Sequence, residues 1–123
     1  MEDIRIVKSK SKCFICNEIK FASTDRKVLK EMGEPFIYDE SQTWIFAYKF
    51  DQLVGFICYD SKKILYVYVF TKFRNKGLFT VLYNELPTQE WKTIASNMSY
   101  KLFLNKGFEV LKNYKNCHKL IKK

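Results

Sequence analysis

Glycine and proline are scarce: four Gly and two Pro in 123 residues. That excludes collagen-like and low-complexity chains, which need far more of both. Long apolar runs are absent too. The longest, Ile64 to Phe70, falls well short of the roughly 20 residues a helix needs to cross a bilayer, so no membrane association is expected. The opening residues, Met1 to Arg5, lack the apolar segment of a secretory leader, which leads to the expectation of a cytoplasmic protein. Acids are nearly missing from one quarter of the chain: from Lys92 onward stand eight lysines and a single acid, Glu109.

What is present is a folding composition. Hydrophobic residues make up 47% of the chain and aromatic ones 17%, enough to build a core, and the length suits one domain spanning residues 1–123. The 22 basic and 13 acidic residues give +9. Concentrated in the last quarter, that excess points to an anionic partner: nucleic acid, an acidic protein or a phosphorylated ligand. An A+T-rich coding sequence is a second source of the same bias, since lysine far outnumbers Arg5, Arg26 and Arg74. The four cysteines read as buried small hydrophobes rather than disulfides. Cys13 and Cys16 have the spacing of a zinc knuckle that Cys117 and His118 together could complete as a four-ligand site. Adjacent residues on a strand point to opposite faces, however, so no metal site is expected.

Hydrophobic periodicity orders the elements. Residues from Asp3 to Lys8 alternate as a strand. A helix capped by Ser9 or Ser11 follows, with Ile15, Cys16 and Ile19 on one side. A second helix is expected from Ser23, Thr24 or Asp25, with Val28, Leu29 and Met32 inward, ending at Gly33 before Pro35. Thr43 to Lys49 and Leu53 to Tyr59 form a hairpin. Ile64 to Phe70, uniformly β-branched or aromatic apart from Leu65, reads as a central strand buried on both faces. Leu78, Val81, Leu82 and Leu86 have helical spacing up to Pro87. Trp91 to Ala95 is a short strand, Asn97 to Leu104 a helix stopping at Gly107, and Phe108 to Leu111 with Cys117 to Ile121 a closing pair. The order β-α-α-β-β-β-α-β-α-β-β predicts a mixed sheet with helices on its faces, in the α/β class.

The junction Val69-Phe70-Thr71-Lys72-Phe73-Arg74-Asn75-Lys76-Gly77-Leu78-Phe79 carries the chemistry. A strand entering a helix through a short loop with one glycine leaves backbone N–H groups free at the helix start, an anion site suited to a pyrophosphate. Gly77 allows close approach, and Arg74 and Lys76 add charge. This stretch resembles the acyl-coenzyme A binding motif of the GNAT superfamily of N-acetyltransferases: a Val-containing strand, then Arg or Gln, two residues, Gly, one residue, and Gly or Ala. About twenty residues on, Asn97 to Phe108 resembles the second signature of that family, an Asn opening a helix that ends in an aromatic, three residues and Gly-Phe. The resemblance spans the whole chain.

It implies a splayed central sheet with acetyl-CoA, or another acyl-CoA, lying between the strand of Val69 and that of Ala95. The cofactor contacts implied are Val69, Thr71, Arg74, Asn75, Lys76, Gly77, Leu78, Phe79, Asn97 and Phe103. A backbone N–H near Val69 would polarise the thioester, and an amine acceptor would attack directly from the far side. Three departures qualify this. Phe79 stands where Gly or Ala is usual, so its side chain must turn away. Phe103 stands where many members place a tyrosine acid, leaving Tyr100 as the candidate donor. The central strand has no acid to serve as base, leaving Glu40, Asp60 or His118, or an amine that arrives already neutral. The implied function is acyl transfer to an amine by a monomer or homodimer. The alternative is a nucleic-acid modifier like the phage Mom-like proteins, or a nucleic-acid binder, using Tyr100, Phe103, Phe108 and Tyr114 among the C-terminal lysines.

Overall fold

A computed structural model describes residues 4–23, 39–74, 76–96 and 99–123. In chain order these form β1 (Ile4–Ser9), α1 (Lys12–Ser23), β2 (Thr43–Lys49), β3 (Gln52–Asp60), β4 (Lys63–Val69), a 3-10 turn (Thr71–Phe73), α2 (Leu78–Tyr83), β5 (Trp91–Ser96), α3 (Tyr100–Leu104), β6 (Glu109–Asn113) and β7 (Cys117–Lys122). The expected second helix after α1 lies outside the described residues. The strands make one mixed sheet, ordered β1-β2-β3-β4-β5-β7-β6. In it β4 and β5 run parallel; the other neighbours are antiparallel. The mixed α/β class and the expected strand sequence therefore hold.

Alternation along β2 and β3, shifted by one residue at a bulge where Val54 is the extra residue, separates two cores. Trp44, Phe46, Tyr48 and Phe56 face Ile15 of α1 in an aromatic layer. Ile45, Ala47, Val54 and Ile57 face the other way, under Leu78, Phe79 and Leu82 of α2 and Phe103 of α3. Tyr48 Oη donates to Glu18 Oε2 at 2.7 Å, tying α1 to the sheet. Burial, and then this carboxylate partner, push the Tyr48 phenol above its ordinary value. Gly55 sets how closely α2 approaches: a Cβ there would lie 3.0 Å from Tyr68 O and 3.3 Å from Leu78 Cδ2.

Two sequence expectations are corrected. The strands buried along nearly their whole length are β2 and β3, whereas β4 mixes buried with exposed positions, and Leu65 is among the exposed large hydrophobics. The apolar run of β4 marks a central strand whose later half borders an opening instead of a neighbour. On α1, Ile15 is buried, but Cys16 and Cys13 are exposed. The inward side of this helix is carried by Ile15, Phe14 and Ile19.

Candidate functional site

The opening starts at a β-bulge. Tyr59 pairs with Ile64 and Cys58 with Tyr66, so Leu65 is an extra residue in β4. A bulge bends its strand and sharpens its twist. β4 accordingly pairs with β5 only at Lys63↔Lys92 and Ile64↔Thr93, and the last rung is closed by Thr93 Oγ1 donating to Ile64 O at 3.0 Å. Beyond that point the two strands part. Phe70 N donates to Val54 O of β3 at 3.0 Å. By strand alternation, the peptide groups of Val67 and Val69 then face the other way, toward the parted edge.

The chain leaving β4 is folded back on itself. Phe73 N donates to Phe70 O at 2.8 Å. Arg74 Nε donates to Val69 O at 2.8 Å, with the guanidinium carbon 5.2 Å from the Tyr68 ring centroid. Arg74 thus braces the end of β4 as well as bringing charge. Gly77 caps α2 in the left-handed conformation, φ 81 and ψ 8, which explains why glycine is needed there. A Cβ at Gly77 would meet nothing within 4 Å, so open space lies over this backbone. The first amides of α2, from Leu78 to Thr80, have no acceptor within their own helix.

Two cavities occupy the split. The first, about 340 Å³, runs from Gly77, Leu78, Phe79 and Thr80 along Val69 and Val67 to Ser96 and Ser99. Three cations line it, Arg74, Lys101 and Lys106, and among the described residues no carboxylate does. Lys106 Nζ donates to Thr80 Oγ1 at 2.9 Å, linking the end of α3 to α2 across it. The second cavity, about 90 Å³, is bounded by Leu65, Tyr66, Ile94, Ala95 and Phe103. Val67, Ser96 and Ser99 are common to both. Ser96 Oγ and Ser99 Oγ lie 3.1 Å apart, and either can be the donor.

The sequence candidates divide on this geometry. Val69, Arg74, Gly77, Leu78 and Phe79 line the first cavity together. The Phe79 ring turns into the core, as its size requires, and meets Phe103 edge to face at 5.2 Å. Phe103 is wholly buried and forms part of the second cavity's floor. Lys76 is exposed beside Gly77; Thr71 is exposed in the 3-10 turn and outside both linings. Asn75 and Asn97 lie outside the described residues. Tyr100 and His118 are brought together, rings stacked with centroids 4.0 Å apart, and His118 Nδ1 lies 2.7 Å from Asn113 Oδ1. Neither lines either cavity. Glu40 and Asp60 are at the opposite end of the sheet, where Asp60 pairs with Lys63 and accepts a hydrogen bond from Ser41 Oγ.

The sequence reading missed Ser96, Ser99, Lys101, Lys106 and Thr80. The lysines were visible only as part of the C-terminal excess; the Ser-x-x-Ser spacing reads as an ordinary strand end and helix start. Among the described residues no group of His, Cys, Asp or Glu could hold a metal ion. Cys58 is buried, and that burial raises its thiol pKa, keeping it protonated and inert.

No family model matches the sequence, and no curated protein sequence does. Solved structures do. The chain is similar to the PaiA N-acetyltransferase of Thermoplasma acidophilum in complex with coenzyme A, at 14% identity and TM-score 0.72 over 97% of this chain and 99% of that one. It has the GNAT N-acetyltransferase fold. Escherichia coli ElaA superposes with TM-score 0.69 at 14% identity, over 98% of this chain and 99% of that one. Arabidopsis thaliana Naa50, in complex with the bisubstrate analogue CoA-Ac-MVNAL, does so with TM-score 0.65 at 17% identity, over 96% and 98%. The GNAT fold expected from the two sequence motifs is thereby established. No helix among the described residues is long and apolar enough to cross a membrane.

Proposed function

We propose that the protein is an acetyl-CoA-dependent N-acetyltransferase that moves the acyl group to an amine by direct attack in a ternary complex. The parted β4–β5 edge carries this reading. It joins a cation-lined cavity, reaching the open backbone at Gly77, to a second cavity through Val67, Ser96 and Ser99. The complex of PaiA with coenzyme A and that of Naa50 with the bisubstrate analogue CoA-Ac-MVNAL, on the same fold, support it.

The pyrophosphate sits over Gly77 and the first amides of α2, where the helix dipole and free N–H groups favour negative charge. Arg74, Lys101 and Lys106 supply countercharge, with Lys76 at the rim. The pantetheine arm follows the open edge of β4 to the junction, with Asn97 as its candidate side-chain partner by family resemblance. There the N–H of Val67 or Val69 donates to the thioester carbonyl oxygen. The neutral amine attacks the carbonyl carbon, and charge builds on that oxygen against a fixed donor. The tetrahedral intermediate then expels the sulfur with its electron pair. Most of the acceleration comes from holding the two reactants in line.

The acceptor enters through the second cavity. Ile94 is exposed there, with Lys92 on the same strand face and Lys119 directly opposite on β7, so an acceptor carrying an acidic group is favoured. A nucleic-acid partner is not favoured. Several C-terminal lysines have partners within the fold: Lys106 Nζ donates to Thr80 Oγ1, Lys122 Nζ donates to Tyr83 Oη, and Lys112 lies over the Tyr114 ring.

Calorimetric titration with coenzyme A and acetyl-CoA tests this reading, followed by thiol release with a panel of amines. One saturable site for both ligands is expected. Absence of binding overturns the assignment.

A further inference from the structure

We infer that Ser96 and Ser99 form a hydroxyl relay that carries the acceptor nitrogen's surplus proton to the departing sulfur. The inference rests on the acyl-transfer reading above and supplies the acid and base that the sequence does not provide. Each serine borders both cavities, so the pair lies where the cofactor's end and the acceptor's end meet. Their oxygens are 3.1 Å apart with either able to donate, and a hydroxyl is both donor and acceptor. Proton transfer can therefore run through the pair in one direction.

Among the described residues the alternatives are absent from the junction. Neither cavity lining contains a carboxylate, imidazole or thiol, and the two tyrosines in them, Tyr66 and Tyr68, pack their rings into the aromatic layer against Trp44 and Phe56. Phe103 has no proton to give, and Tyr100 and His118 are engaged with each other outside both cavities. Ser99 precedes α3 without making a side-chain cap hydrogen bond, so its hydroxyl is not committed to starting that helix.

The step balances. The amine nitrogen forms its bond to the carbonyl carbon and becomes positively charged, while the C=O pair moves onto oxygen. That pair returns, the C–S bond breaks, and sulfur leaves with the bonding electrons. One hydroxyl gives its proton to sulfur as the other takes the proton from nitrogen, and the hydrogen between them shifts across. The products are an amide and the free thiol of coenzyme A, with both serines again neutral. The transfers must be concerted, because a serine hydroxyl is a much weaker acid than a thiol.

A hydroxyl placed to serve the leaving sulfur also stabilises the bound thiolate, which allows a test without knowing the acceptor. Binding of coenzyme A is compared with that of desulfo-coenzyme A, which lacks the sulfur, from neutral pH to above the thiol's ordinary pKa. In the native protein the preference for coenzyme A should rise about tenfold, equivalent to a bound thiol whose pKa is lowered by about one unit. In Ser96→Ala/Ser99→Ala the rise should vanish while desulfo-coenzyme A still binds, and Ser96→Thr/Ser99→Thr should restore it. Should the double variant fail to fold, the two single alanine variants read the same quantity, and the rise should vanish in the one that removes the hydroxyl facing the sulfur. A rise that persists in the alanine variants, or is absent in the native protein, overturns the relay. Loss of desulfo-coenzyme A binding in a folded alanine variant overturns it as well, by making the serines structural. Failure of the native protein to bind either ligand defeats the acyl-transfer reading itself.

Discussion

Replacing Gly77 by Asn and by Asp separates backbone strain from ligand chemistry. Gly77 has φ 81, and a Cβ added there meets no protein atom within 4 Å. Strain is thus the main stability cost of a side chain. A non-glycine residue in the left-handed region costs about 1–2 kcal/mol, with Asn and Asp at the low end because they tolerate it best. Both variants should lose about 1 kcal/mol, or about 4 °C in Tm for a domain of this size. They should differ from each other by less than about 0.5 kcal/mol. Affinity for coenzyme A should separate them. One negative charge about 5 Å from a phosphate costs about 1 kcal/mol at the dielectric of water and about 3 kcal/mol at an effective dielectric of 20. The Gly77→Asp variant should therefore bind coenzyme A about fivefold to 150-fold worse than Gly77→Asn does, and added salt should narrow the gap. Urea denaturation and calorimetric titration read the two quantities independently. Equal affinities for the two variants, with coenzyme A still binding, would refute the placement of its phosphates over this backbone.

Gly55→Ala should destabilise the fold by about 1–3 kcal/mol, because its Cβ presses on Tyr68 O and Leu78 and pushes α2 off the sheet; native stability in urea would show that α2 has room to spare. Phe79→Leu and Phe103→Leu should be non-additive by about 0.5–1.5 kcal/mol, the coupling of an edge-to-face pair; strictly additive losses would show that the rings do not act together. Tyr48 has its phenol pKa raised in the folded state, so folding holds the proton and its contribution is intact below the unfolded value, about 10, and lost as pH rises past it. Stability should fall more steeply above that pH in the native protein than in Tyr48→Phe; parallel slopes would remove Tyr48 from the account.

The fold was legible because periodicity and punctuation agreed. The hairpin of β2 and β3, and the stops before Pro87 and at Gly107, are local signals, and the strands stand within two residues of expectation. The loop proposed to hold the phosphates was legible as a loop for the same reason, since Gly77 and Arg74 belong to one short stretch. Burial was not. The run Ile64 to Phe70 reads as a strand buried on both faces, yet one extra residue at Leu65 parts β4 from β5, and no local pattern announces a bulge. Nor does spacing reveal Ser96 and Ser99 as the point where two cavities join, because that depends on where β4 goes. Tyr100 and His118, the two side chains expected to serve as acid and base, do meet, but through a ring contact between α3 and β7 that lies away from the split.

Two departures from the family pattern, Phe79 and Phe103, are in contact, which makes them a single packing event. A large ring at position 79 must leave the loop proposed to hold the phosphates, and the space it enters lies against residue 103, where a ring at 5.2 Å receives it edge-on. Position 103 is wholly buried there, a place for an apolar ring rather than an exchanging phenol. Losing the usual acid is therefore tied to accommodating Phe79, and what remains at the junction are hydroxyls that do not titrate near neutral pH. Under the proposed acyl transfer, a site of this kind would not deprotonate an ammonium group ahead of attack and would act on whatever fraction of its acceptor arrives neutral. Near neutral pH that fraction is roughly 300-fold larger for an α-amine, whose pKa is about 7.7–8.0, than for a lysine side chain at about 10.4. The missing acid and base thus bear on specificity: they favour acceptors whose amines are weakly basic, independently of the pocket's shape.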